Sequence, residues 1–157
     1  MAKAAKPSTT DDEQIRQSIE LLYFAYRDFT ARADAILAKQ NFGRAHHRMV
    51  YFVGRHTGMT VSALLDILGI TKQSLSRVLG QLVREGYIFQ KTGIHDRRQR
   101  LLELTAKGRE LERVLTTEQR ARISAAHKAV STTSLTGFRA VMLGIMNDDT
   151  RHRFTSG

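Results

Sequence analysis

Between Ile15 and Ile36 the apolar residues recur at alternating steps of four and three: Ile15, Ile19, Leu22, Tyr26, Phe29, Ala33 and Ile36. That spacing predicts a long helix carrying one heptad-like seam. Asp11, Asp12 and Glu13 stand near its start, where negative charge offsets the helix dipole. Leu21, Phe24 and Ala25 widen the apolar face beyond what one contact needs, so the helix is expected to have two partners or to be buried outright. Toward the other end, Phe138, Val141, Met142, Ile145 and Met146 fall on one face of a second amphipathic helix. A further helical stretch runs from Ala106 to Val130, anchored by Leu111, Val114, Leu115 and Ile123. Terminal helices with such wide apolar faces suggest a dimerisation platform; the competing reading is a monomer whose ends cover its own core.

The middle of the chain has shorter periods. Phe42–Arg55 reads as a helix with Phe42, Met49, Val50 and Val53 facing inward, ended by HTGMT. Thr60 suits the N-cap of a short helix, VSALLDIL, and Gly69 supplies a left-handed C-terminal residue. Thr71 then caps KQSLSRVLGQLVREG, which Gly86 terminates. YIFQ is β-prone, Gly93 opens a turn, and RLLEL is apolar again. Two helices joined by a tight turn and followed by a strand, a basic loop and a strand predict a helix-turn-helix with a β-hairpin wing.

Charge changes this picture from a scaffold to a surface. The 157-residue chain carries a formal net charge of +10, and Lys72–Lys107 alone holds eight cations against three acids. So local an excess points to a polyanion, nucleic acid or an anionic membrane surface. On the second helix of the pair, Leu75, Val78, Leu79, Leu82 and Val83 form the inward face. Lys72, Gln73, Ser76, Arg77 and Gly80 form the opposite one, which holds no carboxylate before Glu85. A purely solvated face mixes Glu with Lys. An acid-free face of Gln, Lys and Arg instead suits base edges, Gln pairing with adenine and Arg or Lys with guanine. The N-terminus at Thr71 adds backbone N–H groups that favour phosphate.

The segment Thr60–Gly108, TVSALLDILGITKQSLSRVLGQLVREGYIFQKTGIHDRRQRLLELTAKG, resembles the MarR family of bacterial winged-helix transcriptional regulators. The carrying features are LLDILGITKQSLSRVLGQL, the GY after the second helix, and DRR followed by LLELTAKG. The resemblance implies a mostly α fold with a minor β component: a winged helix-turn-helix between long N- and C-terminal dimerisation helices. It implies a homodimer on a pseudo-palindromic operator of double-stranded DNA. The Thr71–Glu85 helix would lie in the major groove and the Gly93–Gln99 hairpin tip in the minor groove. The family's Asp-x-Arg wing motif falls on Asp96 and Arg98, which makes Arg98 the groove-inserting residue and Asp96 its orienting acid. Arg97, between them, is expected on the backbone with Thr71, Arg84, Lys91 and Arg100. Lys72, Gln73, Ser76 and Arg77 are expected in the major groove.

The resemblance also implies a small aromatic effector as a further partner, for which His46, Phe29 and Tyr51 are the expected pocket residues. From its own position, between Phe42 and Met49, His46 reads more readily as a satisfied core histidine. His46 and His47 diverge by about 100° on a helix and cannot readily chelate one ion, and the other histidines lack ligand spacing. No metal or cofactor is expected. With no cysteine, thiolate zinc sites, cysteine nucleophiles and thiol redox sensing are excluded. No phosphate-cradling Gly-rich loop, G-x-S-x-G or H-E-x-x-H motif occurs, so an enzyme is not expected. The N-terminus lacks the apolar core of a secretory signal, and no run approaches the roughly 18 apolar residues of a membrane span.

The sequence reading is therefore a cytoplasmic, nucleoid-associated bacterial repressor without a membrane partner. Its parts are a disordered arm (1–10), a dimerisation helix (11–41), a winged helix-turn-helix (42–108) and C-terminal dimerisation helices (109–157). A non-specific architectural DNA-binding protein is the alternative, and a winged-helix module that binds only protein is a more distant rival.

Overall fold

Helix α1 (Thr9–Ala38) ends where Asn41 turns the chain with φ 56°. The computed structural model describes residues 9–155, so most of the arm expected over residues 1–10 lies outside the described residues; Thr9 and Thr10 already belong to α1. Two compact units divide the chain, one up to Gln119 and one from Arg120.

In the first unit, α2 (Arg44–Arg55) follows α1, and β1 (Met59–Thr60) leads directly into α3 (Val61–Leu68) and α4 (Lys72–Arg84). Strands β2 (Ile88–Thr92) and β3 (Arg100–Leu104) then form the hairpin, and α5 (Ala106–Lys128) begins. The antiparallel sheet has the order β1-β3-β2, with Met59 opposite Leu102 and Gln90 opposite the same residue on the other side. The expected two-stranded wing hairpin forms, and a third strand, β1, extends its sheet. The added strand is only two residues long, and Gly58 at φ 80° sends its backbone N–H to the Leu102 carbonyl. Helix α2 also starts two residues later than Phe42, because extended Gly43 forms its N-terminal boundary.

The caps expected from sequence form. Thr60 Oγ1 accepts from Ala63 N and Thr71 Oγ1 from Ser74 N, each at 3.1 Å, and Gly69 is left-handed at φ 59°. Each cap satisfies an otherwise orphaned N–H, worth about 1 kcal/mol. The core joins Leu37 of α1, Met49, Val50 and Val53 of α2, Leu64 of α3, Leu82 of α4, and Ile88 and Leu102 of the sheet. Each such buried side chain contributes about 1.5–3 kcal/mol. The end of α4 is tied down twice. Lys107 Nζ donates to the Glu85 carbonyl at 2.9 Å while lying over the Tyr87 ring, and Thr105 Oγ1 donates to the Gly86 carbonyl.

The N-terminal half of the α1 seam is exposed among the described residues. Ile15, Ile19, Leu22 and Tyr26 are exposed, as are Leu21 and Phe24, whereas Ala33 and Leu37 further along are buried. In the second unit, α6 (Thr132–Ile145) is capped by Ser131, and α7 (Asp148–Thr155) follows. Arg151 holds α7 to the end of α6 by donating to the carbonyls of Leu143 and Met146, both at 2.9 Å. Phe138, Val141 and Ile145 are exposed, and an apolar groove of about 380 Å³ is lined by Leu135, Phe138, Met142, Met146 and Phe154. Among the described residues no helix is long and apolar enough to cross a membrane.

Candidate nucleic-acid interface

Helix α4 owes its orientation to its own periodicity. Leu75, Val78, Leu79 and Leu82 are buried, which turns Lys72, Gln73, Ser76 and Arg77 outward, all exposed. None of these four side chains makes a hydrogen bond or ion pair among the described residues, so each donor is free for an outside partner. A Cβ at Gly80 would meet nothing within 4 Å, so the helix surface there is open to close approach. Thr71 spends its hydroxyl on the cap, leaving only backbone groups to offer a phosphate.

The hairpin tip is held by backbone bonds. Gly93 N donates to the Gln99 carbonyl at 3.0 Å, and Gln99 N to the Asp96 carbonyl at 3.1 Å. Asp96 Oδ1 accepts from the backbone N–H of Arg98 at 2.9 Å. The acid thus holds the main chain of Arg98, and no ion pair joins Asp96 to a guanidinium among the described residues. The guanidinium groups of Arg97 and Arg98 are exposed and unbonded among the described residues. Arg100 is partly engaged, with Nη1 donating to Thr92 Oγ1 at 3.3 Å and to the Arg97 carbonyl at 3.4 Å.

Lys91 is more occupied still. Its Nζ pairs with Glu103 at 2.8 Å and stands 5.3 Å from the Phe89 ring centroid. This diagonal cross-strand pair follows from a register in which Phe89 faces Glu103. Among the cations expected on DNA, Lys72, Arg77, Arg84, Arg97 and Arg98 are unpaired within the described residues, while Lys91 must exchange or share its partner. Exposed pairs of this kind are worth at most about 1 kcal/mol, so a phosphate can compete.

The three residues expected at an effector pocket are not brought into ring contact. His46 is buried and stacked on Phe42 with centroids 4.5 Å apart. Its Nδ1 accepts from Gly43 N at 3.0 Å, and its Nε2 lies 2.8 Å from Gln81 Oε1. Since Nδ1 must accept from the backbone, Nε2 carries the proton, and both nitrogens are used. Gln81 passes the chain on to Glu85 at 3.0 Å, which links the start of α2 to the end of α4. Sequence position marks His46 as buried, but nothing in the sequence marks Gln81 as its partner. Phe29 and Tyr51 are half-buried, and Tyr51 packs edge-on against Phe52. No cluster of three or more His, Cys, Asp or Glu able to hold a metal ion occurs among the described residues.

His47 carries a pH dependence. Burial lowers its pKa below the usual 6.5, with Asp34 and Glu112 pulling the other way. In the unfolded chain His47 therefore takes up its proton first as pH falls. The stability from keeping it neutral is complete above 6.5 and is lost progressively as pH drops toward the lower folded value. Chemical denaturation across that window should show the loss in the wild type and a shallower slope in His47→Gln.

A family model described as "MarR family" matches residues 40–99. The HTH-type transcriptional regulator PetP of Rhodobacter capsulatus is 46% identical over 143 residues, covering 91% of this chain and 86% of that protein. Among solved structures, FabT of Streptococcus pneumoniae in complex with DNA aligns with a TM-score of 0.72 at 19% identity, over 83% of this chain and 94% of that one. A MarR-family regulator of Listeria monocytogenes complexed with 26mer DNA aligns at 0.67 and 18% identity, over 81% and 85%. Likenesses at that identity show the fold.

Proposed function

This chain belongs to the MarR family of transcription regulators, and from that premise we propose that it represses transcription as a homodimer occupying a pseudo-palindromic operator. The observation that carries the proposal is the outward face of α4 together with the wing tip: Lys72, Arg77, Arg97 and Arg98 are unpaired cations of the described structure, and the inner face of α4 is buried in the core. A fold gains nothing from keeping these charges together without a polyanion. The solved complexes of FabT and of the Listeria regulator with DNA support the same partner class.

In this reading α4 enters the major groove, where Gln73, Ser76 and Arg77 meet base edges and supply specificity. Arg98 enters the minor groove, whose negative potential rises where it narrows. Arg84, Arg97 and Arg100 neutralise phosphates, Lys91 joins them by leaving Glu103, and Thr71 contributes its helix N-terminus. Two copies double the set, so binding should weaken steeply with salt through counterion release. The uncovered seam of α1 and the exposed face of α6 support a second copy as the dimer partner. A small aromatic effector belongs to the same proposal. Phe29 and Tyr51 are its contacts, and His46, whose ring nitrogens are both occupied, braces the recognition helix.

Fluorescence anisotropy with labelled duplexes tests the assignment. Arg77→Ala should cost about 1–3 kcal/mol on the preferred sequence and relax the preference at one base pair. Equal loss on random DNA would make Arg77 a phosphate contact. Arg98→Ala should bind more weakly with its dimer intact, and unchanged affinity at physiological salt would overturn the wing assignment.

A further inference from the structure

Between residues 28 and 113 the fold leaves one large hydrophobic side chain exposed among the described residues. It is Ile94, 91% exposed at the apex of the wing. The other exposed large hydrophobic residues all lie on α1 or from Val114 onward, on the terminal helices assigned above to the dimer or, for Val130, in the bend between α5 and α6. The exposure is built in. Gly93 is buried, and a Cβ there would come within 2.6 Å of the Asp96 carbonyl oxygen and 3.3 Å of Gln99 Cβ. The hydrogen bonds from Gly93 N, Gln99 N and Arg98 N close the turn beneath the apex. Arg100 adds a bond to the Arg97 carbonyl. With both sides of the turn pinned, Ile94 and His95 stand out of it. The remaining tip residues, His95, Asp96, Arg97, Arg98 and Gln99, are polar and exposed.

We propose that Ile94 is an apolar wedge that the wing drives against the floor of the DNA minor groove, reading the deformability of the base step beneath it. The inference rests on the wing reading above and deepens it. Apolar side chains at minor-groove tips commonly lodge at a base step and partly unstack it, bending the duplex toward the major groove. Pyrimidine–purine steps such as TA yield at least cost, whereas A-tracts are stiff. Ile94 suits the task for two reasons. Its β-branched side chain has little rotamer freedom to lose on insertion, and its turn is fixed before contact, so little ordering is needed. Arg97 and Arg98 beside it supply the attraction that brings the groove walls to either side. The arginines would hold the groove, and the isoleucine would discriminate among sequences that no hydrogen bond of the wing reads.

The two contributions separate by salt. An arginine that neutralises a phosphate adds to the slope of log affinity against log salt; an apolar contact does not. The experiment uses the intact protein and a duplex recovered with it from a random pool. That duplex is made in two versions, with TA or with an A-tract under the wing. Ile94→Ala should bind the TA version about 10-fold more weakly, as expected for losing most of an isoleucine contact. It should lose the preference for TA over A-tract and keep the wild-type salt slope. Ile94→Val should retain most of the preference, and Arg97→Ala, which removes a phosphate contact, should lower the slope by about one unit. End-to-end energy transfer on the TA duplex should report a smaller bend for Ile94→Ala. Wild-type affinity and TA preference in Ile94→Ala, with Arg98→Ala impaired, would overturn the wedge while leaving the wing on DNA; Ile94 would then serve a protein contact. Wild-type behaviour in both variants would overturn the wing reading, and the wedge with it.

Discussion

Replacing Ile19 with Asp should convert the proposed dimer to monomers at micromolar concentration and lower its affinity for an operator duplex by about 100-fold or more, because two half-sites would no longer be engaged together. Ile19 is 65% exposed in the single chain and touches none of the buried core, so the substitution leaves the winged region folded. In the proposed dimer the seam Ile15, Ile19, Leu22 and Tyr26 is covered. By two-fold symmetry each substitution appears twice in the interface. A carboxylate buried there without a partner costs several kcal/mol per copy, more than the apolar contacts it replaces can return. Sedimentation velocity reads the mass, and circular dichroism confirms that the helices remain. A dimer that survives at the same concentration would place the interface elsewhere than on the α1 seam.

Replacing Gly108 with Ala should destabilise the fold by about 3 kcal/mol. A Cβ on Gly108 would fall onto the Tyr87 carbonyl oxygen and touch Leu104 Cδ2. The main chain there cannot yield cheaply. Tyr87 N donates to the Leu82 carbonyl at 2.8 Å, the Tyr87 carbonyl accepts from Thr105 N, and Gly108 N donates to Thr105 Oγ1 at 3.0 Å. One methyl group therefore pries apart the end of α4, the start of β2 and the start of α5. At matched protein concentration the midpoint should drop by about 10 °C. A midpoint within a degree of wild type would mean that α5 can shift away from the sheet without cost.

How far the sequence reaches depends on whether a feature is local. The two caps at Thr60 and Thr71, the left-handed Gly69 and the inward face of α4 are each decided within a few residues, and all were legible. Strand β1 was not, because Met59 and Thr60 are only two residues and their partners, Leu102 and Leu101, lie more than forty positions away. Helix α7 has no apolar period to read; the Arg151 bonds to the last carbonyls of α6 hold it in place. At the candidate site, the free donors of α4 follow from periodicity alone. The engagement of Lys91 with Glu103 depends on strand register, and the pairing of His46 with Gln81 depends on how α2 meets α4. Both lie beyond pattern. Ile94 was visible as one apolar letter among polar ones, but its exposure follows only from the closed turn beneath it.

Selection of bound sequences from a random duplex pool by the intact protein separates a sequence-specific regulator from a non-specific DNA-binding protein. The expected result is enrichment of an inverted repeat whose half-site centres lie about one helical turn apart, matching two copies of α4 related by two-fold symmetry. Recovery of DNA with no enriched pattern would identify a non-specific architectural protein, and failure to retain any duplex even at low salt would contradict DNA binding altogether.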